Sequence, residues 1–226
     1  TLLILTERFA GQRPDPAQMP AFELRHEQLM IALRALPGVL DIGATQALPF
    51  SNTESASTVI LADGRAVDAR SAAISAGLLE ALRVPLLAGR YFDPAQDRED
   101  GEGILVDGAF VGQFLPDLAH PKDAVGMLLQ MPNGDATVAR RIVGVVGPVK
   151  HRSLDAKASP AVYRYSPHPI PFTWIVVRSA TQAETMLPLL RKETLRLEPD
   201  ANIIQLTTLA TLVSKSLESR RAFRDL

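Results

Sequence analysis

Cysteine is absent from this chain. That excludes disulfides, thiol catalysis and Cys-ligated zinc, and leaves the compartment open, since an exported protein can do without disulfides. Aromatic residues make up only 5% of the sequence, too few to build a stacking platform for bases. Neither sign of charge dominates. Lys and Arg number 24, Asp and Glu 25, and the net of −1 gathers neither nucleic acid nor anionic lipid. Long apolar runs are missing as well. The longest, Ile142 to Val146, falls far short of the roughly 20 residues that a membrane-crossing helix needs. Thr1 is not an initiator Met and no signal-peptide pattern follows it, so the chain reads as an excised piece of a longer protein.

The motifs of catalysis and cofactor binding are missing too. There is no G-x-x-x-x-G-K-[ST] and no G-x-G-x-x-G behind a strand, hence no phosphate cradle. Gly101-x-Gly103 lies in an acidic stretch and reads as flexible loop. No G-x-S-x-G elbow marks a nucleophile. The histidines, His26, His120, His151 and His168, form neither H-x-x-x-H nor H-E-x-x-H, and His26 is expected on a solvated helix surface. Asp117-x-x-His120-x-x-Asp123 offers metal-ligand types in a loop whose composition is simply polar. Asp93, Asp97, Glu99, Asp100 and Glu102 match a calcium loop in charge but lack its alternating spacing, so a solvated acidic loop is expected. Lys150-His151-Arg152 reads as a basic surface loop, with an anion site or partner contact as the sharper alternative. No catalytic, cofactor-binding or metal residue is therefore assigned, and an enzyme is the least favoured class.

What the sequence does hold is material for a core. Over 226 residues, 46% are hydrophobic and 22% charged, the balance of a folded α/β chain with one large domain or two small ones. Leu2 to Leu5 is a strand or the end of a preceding helix. Phe22, Leu29, Met30, Leu33 and Leu36 recur at helical spacing from Pro20 to Leu36, and Pro37-Gly38 ends that helix. Val39 to Leu48 reads as a strand. Thr58 to Leu61 and Val67 to Ile74 are strands joined by an Asp63-Gly64 turn. Leu78, Leu79 and Leu82 make a short helix, broken by Arg83-Val84-Pro85. Ile104 to Val106 is a strand, after which Asp107 can cap a helix carrying Phe110 and Phe114 on one face. Met127 to Met131 and Thr137 to Val146 flank an Asn133-Gly134 hairpin signal, with a bulge or close packing against another backbone suggested at Gly144 and Gly147. Val162 to Tyr165 is a short strand. Pro167, Pro169 and Pro171 make a stiff connector. Thr173 to Arg178 alternates, with Trp174, Val176 and Arg178 on one face and Ile175 and Val177 on the other. The next helix has a capping-box pattern at Thr181 and Glu184, but Pro188 would then clash within it, so a start at Pro188 is preferred. Asn202 to Leu206 is a strand, and Thr207 or Thr208 caps a last helix with Leu209, Leu212, Val213 and Leu217 in a stripe and Lys215, Arg220, Arg221 and Arg224 toward its end.

Four of these segments, in order, resemble one family. They are Ile74-Ser75 through Leu82, Val84-Pro85-Leu86-Leu87 and Gly89-Arg90-Tyr91-Phe92; Ile104-Leu105-Val106-Asp107 with Ala109-Phe110 and Phe114-Leu115-Pro116; Ile142 to Gly147 with Val149-Lys150-His151; and Pro160-Ala161-Val162-Tyr163. The chain resembles the MacB-like periplasmic core domain of FtsX-like ABC-transporter permeases, although Pro148 stands where that family usually has Asp. The resemblance implies an α/β (α+β) fold. A porter-like βαβ-type subdomain over residues 1–74 and 166–226 would carry a hairpin-rich, sabre-like insertion over residues 75–165. It implies no cofactor and an extracytoplasmic, periplasmic position between membrane helices. It also implies partners: transmembrane helices of the same full-length chain, a cytoplasmic ATPase domain or subunit, a second permease copy, and a periplasmic adaptor protein. The function implied is mechanotransmission, in which ATP hydrolysis inside does work outside, for export of drugs, peptides or lipids. The alternative is an extracytoplasmic ligand-binding or sensor domain for a peptide, antibiotic or lipid. Two cores are expected. One uses Leu29, Leu33, Val176, Leu190 and Leu212, the other Leu82, Leu105, Phe110, Phe114, Ile142 and Val145. If the chain is a loop between membrane helices, Phe9 and Leu217 lie at the same end.

Overall fold

Strands and helices from the two ends of the chain assemble into one unit. In the computed structural model, which describes residues 2–8, 17, 19–49, 55–133, 136–149, 158–167, 172–199 and 201–214, β1 (Leu2–Arg8), α1 (Met19–Arg34) and β2 (Val39–Thr45) come from the first end. The other end supplies β10 (Phe172–Ser179), α5 (Ala183–Leu197) and β11 (Asn202–Thr208). The strand order is β11-β1-β10-β2, each pair antiparallel. A β-α-β-β-α-β chain in that order is a ferredoxin-like unit, here split between its second and third strands.

Helical spacing makes the inner faces. Phe22, His26, Leu29 and Leu33 of α1 are buried, as are Met186, Leu190 and Thr194 of α5. They close over one face of the sheet, where Leu29, Leu33, Ile42, Ile175, Val177, Met186 and Leu190 form a cluster. Each such side chain contributes about 1.5–3 kcal/mol on burial. Two expectations fail here. His26 is not solvated; it is 1% exposed, with its ring 6.2 Å from that of Phe22. It lies one turn after Phe22 on the buried stripe, and position overrides polarity. Helix α5 does not wait for Pro188 but starts at Ala183, with Gln182 as its cap and no side-chain capping bond. Ser179 instead accepts the Thr181 amide at 2.8 Å, and the exposed Pro188 sits within the helix.

Between β2 and β10 the chain builds a second unit. Its strands are β3 (Ala56–Ile60), β4 (Ala66–Ile74), β6 (Gly103–Asp107), β7 (Leu128–Asn133), β8 (Ala136–Val146) and β9 (Ala161–Tyr165). Their pairings close on themselves: β4-β3-β7-β8-β6-β9, and β9 back to β4. The result is a ring of strands, with β4–β9 and β6–β8 parallel and the remainder antiparallel. β3 and β4 precede the expected 75–165 insertion, yet they pair within this ring. Closing a sheet this way leaves fewer edges to protect. Val59, Ala69, Ile104, Val106, Leu129, Met131, Ile142 and Val162 fill its interior. Helix α4 (Gly108–Phe114) adds Phe110, 0% exposed, whose ring meets that of Phe114 edge-on at 5.1 Å.

The short pieces follow local rules. Gly64 turns β3 into β4 with φ +83°. Helix α2 (Leu78–Ala81) ends as Val84 N–H reaches back to Leu79 C=O at 2.9 Å, with Arg83 at φ +56° in the position glycine usually takes. β5 (Leu86–Gly89) pairs with β8. The bulge expected in β8 is present: the β6–β8 register slips between Ile104 and Leu105, opposite Val143. The expected acidic loop is instead helix α3 (Pro94–Asp100), capped by the Asp93 side chain on Ala95 N–H at 2.9 Å and closed by left-handed Gly101. Pro at N1 and Gly past the end outweigh the run of like charge.

The apolar interior forms three clusters rather than two cores. Leu29, Leu33 and Leu190 lie under the helices, and Phe110, Phe114, Ile142 and Val145 in the ring. Val176 and Leu212, assigned to the first core, and Leu82 and Leu105, assigned to the second, meet in a third cluster between the units. Strand β10 explains this: Ile175 and Val177 face the helices while Val176 and Trp174 face the third cluster, the alternation its sequence predicts.

Candidate functional site: the seam between the two units

The middle cluster joins segments far apart in sequence. Leu48, Ile74, Leu78, Leu79, Val84, Phe92, Leu105, Val146, Tyr163 and Val176 are buried in it, and Trp174, Leu209 and Leu212 pack against it. Polar bonds fix the register. Thr45 of β2 pairs with Ile74 of β4. Ala44 N–H donates to Ser75 Oγ at 2.8 Å, and Ser75 N–H donates to Ala44 C=O at 2.8 Å. Thr45 Oγ1 donates to Ala73 C=O at 3.1 Å. Both hydroxyl residues are buried, where an unmade hydrogen bond costs about 1–3 kcal/mol. The backbones approach closely at Gly43, where a Cβ would stand 2.2 Å from Leu78 N. Gly43 lies inside the strand pattern of Val39 to Leu48, and that was the available signal for close approach. Ser75 stands in the Ile74-Ser75 segment that carries the family resemblance, while nothing in the sequence singled out Thr45.

Three ionisable residues brace the ring side. Arg90 Nη1 and Nη2 grip Asp97 Oδ2 and Oδ1 at 2.7 and 2.9 Å, a two-pronged pair across β5 and α3. Burial pushes the Asp97 carboxyl up, but Arg90 and the Asp93 N–H outweigh it and hold it below its ordinary value. Asp107 caps α4, as its sequence predicts: Oδ1 accepts Phe110 N–H at 2.8 Å. The same oxygen accepts Ala161 N–H at 3.0 Å, tying α4 to the start of β9. Burial pushes the Asp107 carboxyl up to about 6, against the backbone amides around it. Burial, then the nearby Asp107 charge, also raises the Tyr163 hydroxyl, which has no hydrogen-bond partner among the described residues.

Among the described residues those of ligand type do not gather. His120 is exposed, its N–H bonded to Asp123 Oδ2 at 2.9 Å in a single turn of 3-10 helix. Among the described residues no three His, Asp or Glu side chains are placed to hold a metal. His151, His168, the Lys150-His151-Arg152 run, Phe9 and Leu217 lie outside the described residues. A recess between β4 and β9, lined by Arg70, Ser71 and Tyr163, holds about 10 Å³, room for one water. A second, beside Ser75, Glu80 and Phe92, has no such room. Among the described residues no helix is long and apolar enough to cross a membrane.

No family model matches the sequence, and no curated protein does. Solved structures do match. The periplasmic region of MacB from Actinobacillus actinomycetemcomitans superposes with a TM-score of 0.60 at 11% identity, covering 96% of this chain and 92% of that one. The extracellular domain of the noncanonic ABC-type transporter YknZ from Gram-positive bacteria gives 0.53 at 11% identity, over 90% of this chain and 100% of that one. A permease-protein domain from Porphyromonas gingivalis gives 0.53 at 16% identity, over 92% and 90%. At such identities the likeness is one of fold, and it spans both units and the seam between them: the chain has the mixed α/β fold of the MacB periplasmic region.

Proposed function

We propose that this chain is the extracytoplasmic domain of an ABC-transporter permease of the MacB/FtsX type, a non-catalytic lever that carries the stroke of a cytoplasmic ATPase to work outside the membrane. The observation that carries the reading is the fold likeness to the MacB periplasmic region over nearly the full length of both chains. The seam supports the lever. A displacement applied to the split sheet reaches the ring through packed side chains and paired backbone, which move as rigid bodies rather than deform. The backbone at the two ends supports attachment to neighbouring membrane helices, because Leu3 of β1 pairs with Thr208 of β11. We draw the porter-like unit as β1, α1, β2, β10, α5 and β11, and the sabre-like insertion as everything from β3 to β9. The partners that follow are the permease's own transmembrane helices, the ATPase, a second permease copy and a periplasmic adaptor.

The test uses the full-length protein. This segment holds no cysteine, so in a full-length chain cleared of others, Gln113→Cys on the exposed side of α4 is a single reporter. A membrane-impermeant maleimide should label it in intact cells; labelling only after lysis would overturn the extracytoplasmic placement. For the lever, a seam variant such as Gly43→Ala should keep ATP turnover and lose export. Wild-type export from that variant would remove the mechanical part of the proposal.

A further inference from the structure

The two ends of the ring are finished differently. At the end where β6 runs out, α4 places Phe110 and Val111 in the apolar cluster. At the end where β6 begins, strand register brings two arginines to the inner face. Along β8 the exposed positions are Thr137, Ala139 and Arg141, while Val138 and Arg140 are half-buried and Ile142 is buried. Arg140 therefore shares the inward face of Ile142. On β9, Arg164 stands two residues after buried Val162 and directly opposite Ile104, which on its other side opposes Ile142. Arg140 and Arg164 thus flank the start of β6 from its two neighbouring strands.

Among the described residues no carboxylate pairs with either of them. The buried Arg140 Nε has no hydrogen-bond partner among the described residues, and neither guanidinium joins an ion pair there. Burial first, and then the charge of Arg164, lower the basicity of Arg140, and Glu102 offsets this only in part. Glu102 itself is exposed. Adjacent Gly101 has no side chain to fill the space, and a Cβ there would still lie 3.8 Å from Arg140 Nη1. Two guanidiniums in a half-buried mouth present planar forks of N–H donors, the geometry that grips a carboxylate, sulfate or phosphate through paired bonds. Such a ligand would supply the missing partner and neutralise the repulsion at once.

We propose that Arg140 and Arg164 form a binding site for a single oxyanion at the end of the strand ring where β6 begins. The site is independent of the lever reading. The test is thermal melting of this domain in sodium sulfate against sodium chloride at matched ionic strength, with phosphate and acetate as further probes. A saturable rise in melting temperature with sulfate or phosphate is expected. Arg140→Gln and Arg164→Gln should each abolish it. Arg141→Gln, the exposed next residue, should keep it. In chloride alone Arg164→Gln should melt no lower than the wild type, because it removes a repelling charge; a merely structural arginine would predict a drop. A rise with acetate as well assigns the site to carboxylates of a peptide or partner, whereas sulfate and phosphate alone assign it to tetrahedral anions. Equal melting of the wild type in sulfate and chloride, or a sulfate effect that survives in Arg164→Gln, would overturn the proposal.

Discussion

At Asp107 one residue shows how far local reading reaches. The spacing Asp107-x-x-Phe110 before an apolar stripe announces a helix cap, and the cap is there. Its second bond, to Ala161, joins positions 54 apart in sequence, and no local pattern encodes it. His26 is the converse, a polar residue placed by helical phase inside a core. The environment of Asp107 has a consequence for stability. Its folded-state value of about 6 lies above the ordinary carboxylate value of 3.8, so the folded chain holds this proton more tightly than the unfolded one. The stabilisation is fully present below about pH 4 and is lost as pH rises through about 6, a change of about 3 kcal/mol. Denaturation of the wild type should therefore show a fall across that window that Asp107→Asn lacks, since the amide does not titrate while its oxygen can still accept from Phe110 and Ala161. Parallel pH profiles for the two would show that burial does not hold the carboxyl there.

Elements were most legible where periodicity and caps agree. α1, β10 and the Asp107-capped α4 follow their sequence patterns closely. They were least legible where one strong signal hid others. The acidic run hid α3, although Asp93-Pro94 and Gly101 mark both of its ends. Pro188 displaced the expected start of α5, although Met186, Leu190 and Thr194 already lie on one buried face. The helix tolerates Pro188 because that residue is exposed, so its ring strains the solvent side and the missing N–H leaves the Glu184 carbonyl to water. Pro188→Ala should restore one helical bond and raise unfolding stability by about 1–3 kcal/mol in chemical denaturation. A loss of stability would mean that Pro188 itself helps to seat Met186 and Leu190.

The whole molecule depends on contacts that local patterns do not report. Ring closure pairs β4 with β9 and β6 with β8, and the split sheet joins β2 to β10, all between segments far apart in sequence. The third cluster follows from that topology: each unit turns an apolar face toward the other, so residues assigned from sequence to two separate cores meet at one seam. If the seam is as tightly fitted as its geometry indicates, the smallest addition there should be felt across the molecule. Gly43→Ala adds one methyl group, whose carbon would stand 2.2 Å from Leu78 N and 2.3 Å from Leu78 Cα, both backbone atoms that cannot swing aside. α2 must then lift from β2, or β2 from its neighbours. Overpacking of this kind costs about 1–3 kcal/mol. The chain carries its own reporter, because its single tryptophan, Trp174, packs against the same cluster. The variant should show a lowered unfolding midpoint and red-shifted Trp174 emission, with far-UV circular dichroism retained because the strands of both units remain paired. An unshifted emission maximum together with an unchanged midpoint would mean that the two units do not depend on this contact, and that stiffness across the seam must come from the connecting strands alone.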